Sequence, residues 1–287
     1  MRGAERPPQV LPLSPRRGEG AGGREVLVLR IENVSKRFGG VAALTGVSLG
    51  VAAGEIYGLI GPNGAGKTTL FNLINGIYPV SEGRILVDGR DVTNRRPEAI
   101  ARAGVARTFQ SIHLFTRMSV LENVLMGQSR FTHSGLRSLV PFVADRREAA
   151  LARDARETLD FLGLAAYADA PARDLPYAVQ RKVEIARALA SRPRLLLLDE
   201  PAAGCNEEES RELTTDIRRI RDRGISVLLI EHDMSVVMDV CDRIAVLNFG
   251  ERIAEGTPAE IQDNPVVVEA YLGRDDDTPA PRGELVG

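Results

Sequence analysis

The chain has 287 residues, 44% hydrophobic and 26% charged, a size and composition suited to one globular domain carrying an insertion or subdomain. A formal charge of −2 excludes general nucleic-acid affinity, which rests on an excess of Lys and Arg facing phosphate. No apolar run approaches the roughly 20 residues of a membrane-spanning helix, and two cysteines, Cys205 and Cys241, offer no disulfide framework and suit a reducing cytoplasm.

Residues 1–24 hold nine Gly or Pro, break up any signal-peptide core and read as a disordered tail. Val26–Val34, Val47–Val51, Ile56–Ile60 and Arg84–Val87 then read as strands. Helices follow at Lys67–Gly76 and at Ser119–Gly127, where Ser119 and Glu122 match a capping box. Further helices are expected over Asp145–Leu162, Gln180–Ser191 and Glu207–Arg223, the last with Leu213, Ile217 and Ile220 on one face. Leu195–Leu198 and Ser226–Ile230 are short continuous apolar runs, as in strands buried on both faces of a parallel sheet. Residues 274–287 form a second polar tail. Early strands, a helical middle and late strand–helix alternation predict an α/β core with two inserted pieces. Lysine occurs only at Lys36, Lys67 and Lys182, the other 34 basic residues being arginine. Coding bias is the main reading, with lysine kept where its chemistry is needed.

Gly61-Pro62-Asn63-Gly64-Ala65-Gly66-Lys67-Thr68 matches G-x-x-x-x-G-K-[ST] between a strand and a helix, with Thr69 next in line. Its glycines let backbone N–H groups turn inward around an anion, and the helix N-terminus adds positive potential. Lys67 can reach β- and γ-phosphate oxygens, and the Thr68 hydroxyl can ligate Mg²⁺. Downstream, the buried strand ends in Asp199-Glu200. Alone, such a pair reads as a helix cap or solvated turn. Beside a phosphate loop, Asp199 becomes a holder of Mg²⁺ and Glu200 a base for an attacking water. Glu207, Glu208 and Glu209 are a helix start that complements the dipole. His232 ends a strand expected beside the one carrying Asp199, where switch-point chemistry collects. Its neutral imidazole could hydrogen-bond a γ-phosphate. His113 and His133 have no such context.

With these motifs in this order, residues 26–273 resemble the nucleotide-binding subunits of ABC transporters. Gln110, in Arg107-Thr108-Phe109-Gln110, is similar to that family's Q-loop glutamine, taken to touch Mg²⁺ and couple to the membrane subunit. Phe38, 29 residues before Lys67, stands where the family stacks an aromatic on adenine, or it is a strand-edge core residue. The stretches Gly61–Asn75, Ala106–Gly127 and Glu200-Pro201-Ala202-Ala203-Gly204 are similar to the ATPase subunits of branched-chain amino-acid importers. So is the ending Gly256-Thr257-Pro258, Asn264-Pro265 and Ala270-Tyr271-Leu272-Gly273.

The family signature Leu-Ser-Gly-Gly-Gln, which meets the γ-phosphate of ATP on the opposite subunit, is replaced here by Leu175-Pro176-Tyr177-Ala178-Val179. Leu-Pro-Tyr resembles the importer subgroup, but Ala178 and Val179 stand where Gly-Gln is usual, and Gln180 lies one place late. Cys205 and Asn206 replace a commoner Leu-Asp in the D-loop. Two consequences are open: a weakened surface for the partner's ATP, giving two unequal sites in a heterodimer, or a tolerated change in which the helix dipole suffices.

The resemblance implies a phosphate-loop NTPase fold of the ABC type over 25–273, with an antiparallel β subdomain and a helical subdomain over about 112–178. It implies ATP and Mg²⁺ as ligands, a second ATPase subunit, transmembrane permease subunits and, indirectly, a solute-binding protein. The expected place is peripheral, on the cytoplasmic face of the inner membrane. Glu200, His232 and Gln110 are the expected catalytic set. Thr68, Gln110 and Asp199 would hold the metal. A soluble ABC protein would need a second cassette or a long coiled coil, and a small-molecule kinase would not need His232. A scaffold that binds ATP with little hydrolysis fits the altered signature.

Overall fold

The computed structural model describes residues 26–128 and 141–272. Both expected tails lie outside the described residues. In chain order the strands and helices open with Leu27–Phe38 (β1), Val41–Ala52 (β2), Ile56–Ile60 (β3), Lys67–Ile74 (α1), Glu82–Val87 (β4) and Arg90–Asp91 (β5). Pro97–Arg102 (α2), Val105–Arg107 (β6), Val120–Gly127 (α3), Pro141–Phe161 (α4) and Tyr177–Ala190 (α5) follow. Then come Leu195–Asp199 (β7), Glu207–Asp222 (α6), Ser226–Ile230 (β8), Met234–Val240 (α7), Arg243–Asn248 (β9) and Glu251–Gly256 (β10). Pro258–Gln262 (α8) and Pro265–Leu272 (α9) close the described chain.

The strands form two sheets. One is antiparallel, in the order β2-β1-β4-β5. The other runs β10-β9-β3-β8-β7-β6, parallel from β9 to β6, with β10 antiparallel at the edge. The first two strands run further than the apolar pattern suggests, because irregular register lets polar Lys36 and exposed Phe38 stay in the β1–β2 ladder.

Side-chain alternation builds two cores on one sheet. Ile56, Ile60, Leu196, Leu198, Val227, Leu229, Ile244 and Val246 face helices α3 to α7. Their neighbours Tyr57, Leu59, Leu195, Leu197, Leu228, Ile230, Ala245 and Leu247 face α1 and the antiparallel sheet. Burial on both faces is why these strands read as unbroken apolar runs. Leu213, Ile217 and Ile220 do lie on the buried face of α6. The capping box of Ser119 and Glu122 forms, with both reciprocal bonds present.

Parallel pairing brings the C-terminal ends of β3, β8, β7 and β6 side by side, the position where open α/β sheets gather ligands.

Candidate functional site

Between β3 and α1 the chain turns through Gly61, Gly64 and Gly66, whose φ angles are 147°, 81° and 103°. An added Cβ at Gly61 would lie 2.0 Å from the Leu247 carbonyl oxygen, and one at Gly66 would lie 2.9 Å from that of Ala43. Only glycine lets the loop pack this closely on β9 and β2. Pro62 is half-buried, Asn63 and Thr68 are exposed, Ala65 is buried and Thr69 is half-buried. Gly66 is the N-cap of α1 and no side chain caps that first turn, so its backbone donors face the loop. Lys67 Nζ donates to the carbonyls of Gly61 at 2.6 Å and Pro62 at 3.1 Å, which aims the ammonium across the cradle. Burial pushes the Lys67 ammonium below the ordinary lysine value, with the carboxylates of Glu200 and Asp199 pulling the other way.

Asp199 ends β7, opposite Ile230 in β8. The ladder continues one residue, with Glu200 N–H donating to Ile230 O at 2.9 Å. Glu200 itself takes φ 48°, a left-handed conformation uncommon for a non-glycine residue. Its Oε2 accepts from Gln110 Nε2 at 2.7 Å, and His232 Nδ1 lies 3.8 Å from the same oxygen. The structure thus brings Gln110, Glu200 and His232 together, with Lys67 and Asp199 close enough for mutual electrostatic influence. His232 does follow a strand that pairs with the strand of Asp199.

Several members of this cluster escaped sequence reading. Arg107 Nη2 donates to Asp199 Oδ2 at 2.6 Å and Nη1 to Asn72 Oδ1 at 2.7 Å, with both side chains of the ion pair about 95% buried. Its guanidinium stands over the rings of Phe71 and Phe109. Glu231 is 1% exposed and accepts from Ala202 N–H and His232 N–H, tying the turn after Glu200 to the base of His232. Burial raises its carboxyl above the ordinary value, against the opposing effect of those backbone donors. The Tyr271 hydroxyl of α9 lies by the Gly61 backbone. Adjacency to Gln110 and His232 was the only sequence signal for Arg107 and Glu231.

Phe38 is 43% exposed, so the strand-edge core alternative falls. It meets Tyr78 edge-on at 5.2 Å, and Lys36 Nζ stands 4.7 Å from its centroid while donating to Pro79 O at 2.8 Å. The signature stretch begins a helix three residues earlier than expected, with Pro176 as N-cap and Tyr177, Ala178 and Val179 in the first turn of α5. Proline has no side-chain oxygen to accept from the first-turn N–H groups, and no side-chain bond caps this helix start. Leu175 is buried, Pro176 and Tyr177 are exposed, and Val179 packs against the helical core. Gln180 Nε2 donates to Leu175 O at 2.8 Å, a bond made within its own helix start. In the D-loop Asn206 caps α6 through a reciprocal bond with Glu209, the one member of the acidic run that enters the cap.

A glycine cradle after a parallel strand, a buried lysine inside it and carboxylates on neighbouring strand ends define a phosphate-loop nucleotide-binding protein. The family model described as ABC transporter matches residues 44–203, and one described as branched-chain amino acid ATP-binding cassette transporter matches 251–277. The chain belongs to the ABC transporter family, as an ATP-binding, ATP-hydrolysing cassette. It is 43% identical over 249 residues to the high-affinity branched-chain amino acid transport ATP-binding protein BraF of Pseudomonas aeruginosa, covering 86% of this chain and 98% of that one. Identity to LivG of Escherichia coli, a protein of the same description, is 44% at the same coverage. Among solved structures, an ATP-binding cassette of an ABC transporter in its ADP conformation matches with TM-score 0.77 and 35% identity, covering 86% of this chain and 99% of that one. A nucleotide-free cassette matches with TM-score 0.76 and 35% identity, covering 86% and 100%.

Proposed function

We propose that this chain is the ATPase subunit that powers import of branched-chain amino acids or related small polar solutes. It works at the cytoplasmic face of the inner membrane, paired with a second ATPase subunit, as a heterodimer, on transmembrane permease subunits fed by a solute-binding protein. What carries the proposal is the convergence of Lys67, Asp199, Glu200, His232 and Gln110 at the ends of neighbouring parallel strands. The match of residues 251–277 and the names of the relatives support the importer assignment.

The residues fit the nucleotide. Backbone donors of 61–69 and the Lys67 ammonium take the phosphate oxygens, and Phe38 offers the adenine a stacking face. Thr68, Asp199 and Gln110 supply few protein donors, as suits a magnesium ion held mainly by phosphate oxygens and water. When bound, that ion neutralises charge on the β- and γ-phosphates. Glu200 orients the attacking water and accepts its proton as the new oxygen–phosphorus bond forms and the bond to ADP breaks. His232 donates to the γ-phosphate. ATP drawn between two subunits closes them and hydrolysis reopens them, a population shift set by γ-phosphate contacts.

Glu200→Gln in the reconstituted transporter should keep ATP binding and stop phosphate release and uptake. Normal turnover would refute the assignment of the base. A second reading, an ATP-binding regulatory subunit with little hydrolysis, is favoured by one observation: Pro176, Ala178 and Val179 offer neither hydroxyl nor side-chain amide at the α5 N-terminus. Converting Ala178→Gly with Val179→Gln should raise the ATPase rate of the assembled complex if the partner's site is weakened, and leave it unchanged if the helix dipole suffices.

A further inference from the structure

Arg181 is an unusual residue for the interior of this fold. It sits in the second turn of α5, is 1% exposed, and is the largest fully buried side chain among the described residues. Burying a guanidinium costs several kcal/mol before its partners repay it, and an apolar side chain of similar volume commonly does as well. Its partners explain the position. Nη1 donates to Phe109 O at 2.8 Å, and Nη2 donates to Gln110 O at 2.7 Å and to the Tyr177 hydroxyl at 2.9 Å. Glu184 Oε2, 3.3 Å from Nη1, supplies the countercharge. Among the described residues Nε has no acceptor, so the fork is aimed at two successive loop carbonyls rather than at full satisfaction of its donors.

The same helix holds the loop at a further point. Glu184 Oε1 accepts from His113 N–H at 3.0 Å, and Arg187 donates to His113 O. The ring of Tyr177 lies over Gly204, where an added Cβ would come 3.2 Å from Tyr177 Cε1. One guanidinium therefore joins the backbone of Gln110 to the first turn of α5, and that turn in turn touches the stretch after Glu200. The Gln110 side chain reaches Glu200 Oε2 at 2.7 Å.

We propose that Arg181 is a positioning residue: it fixes the backbone of Gln110, and through Gln110 the carboxylate of Glu200, to the orientation of the α5 N-terminus. This rests on the proposed role of Glu200 as base. Any rotation of α5 then moves Gln110 with it, which links the surface offered to a partner subunit with the chain's own ATP site.

The test is a double-mutant cycle in the reconstituted transporter, with Arg181→Met and Arg181→Lys each made in wild-type and Gln110→Ala backgrounds. Arg181→Met should lower kcat about tenfold or more with KM for ATP changed less than about twofold, because a reacting group is misplaced while the phosphate cradle is intact. Lysine keeps the charge but cannot span both carbonyls, so Arg181→Lys should recover only part of the loss. In the Gln110→Ala background either substitution should change kcat less than about twofold, while the melting midpoint falls equally in both backgrounds. The same loss of kcat in both backgrounds would overturn the proposal and leave Arg181 a core residue. If Arg181→Met does not fold, Tyr177→Phe removes one acceptor of the fork without opening the core, and it should lower kcat in the wild-type background only. Should Glu200→Gln turn over normally, the assignment of the base fails; should it be inactive while the cycle is additive, only the Arg181 linkage fails.

Discussion

Replacing Arg107 by methionine would leave Asp199 buried without its direct ion-pair partner, with the more distant Lys67 ammonium left to oppose its charge. The ion pair is 2.6 Å long, both side chains are about 95% buried, and the second guanidinium nitrogen holds Asn72 of α1. Breaking a buried pair by removing one partner costs about 3–5 kcal/mol, whereas replacing both members by neutral side chains costs far less. For a domain of this size that loss lowers the melting midpoint by about 6–20 °C. Asp199→Asn should cost less, because Arg107 keeps Asn72 and its aromatic neighbours Phe71 and Phe109. The double variant should be less destabilised than the sum of the singles by about 1–3 kcal/mol. Thermal and urea unfolding of all four proteins without nucleotide measures this cycle. Additivity within about 0.5 kcal/mol would refute the pairing as the reason for the burial of Arg107.

Three further outcomes follow from the geometry. Gly61→Ala combines left-handed backbone strain of about 1–3 kcal/mol with a clash against the Leu247 carbonyl worth about 1–3 kcal/mol more, while Gly64→Ala, which meets nothing within 4 Å, costs only about 1–2 kcal/mol of backbone strain; urea midpoints compare them. Lys67 has a lowered value when folded, so between that value and the ordinary one the unfolded chain holds more protons, and stability without nucleotide rises with pH through this window. Bound triphosphate favours the ammonium, so the ATP-induced gain in melting temperature should shrink as pH climbs through the same window; an ATP-induced gain that grows there would contradict it. Lys36→Met removes the ammonium that braces Phe38 and Tyr78, and it should weaken ATP binding about two- to tenfold while leaving inorganic tripolyphosphate affinity unchanged.

Local, contiguous signals were readable from residues alone. The phosphate loop is eight successive positions with a fixed backbone demand, and β7 and β8 are unbroken apolar runs because both their faces are buried. Short or irregular pieces were not. β6 has three residues, too few for a period, and the β9–β10 hairpin turns through Phe249-Gly250, where only the glycine is a turn residue and Phe249 takes φ 44°. Helix α5 was expected at Gln180 because Tyr177, Ala178 and Val179 carry no start signal beyond a preceding proline. Arg107, Arg181 and Glu231 carry no such local signal. In sequence each is one charge among many, and only the folded packing reveals all three as buried, the two arginines in ion pairs and Glu231 as an acceptor of backbone N–H groups.

The central claim is that residues 61–68 cradle a triphosphate with Lys67 across it. Titration of the wild-type chain and Lys67→Ala with a fluorescent ATP analogue in the presence of magnesium tests it most directly. The wild-type chain should saturate, and the variant should lose affinity by about tenfold or more, the worth of charge-assisted bonds to phosphate. Equal affinity of the two, or no binding by either, would contradict it.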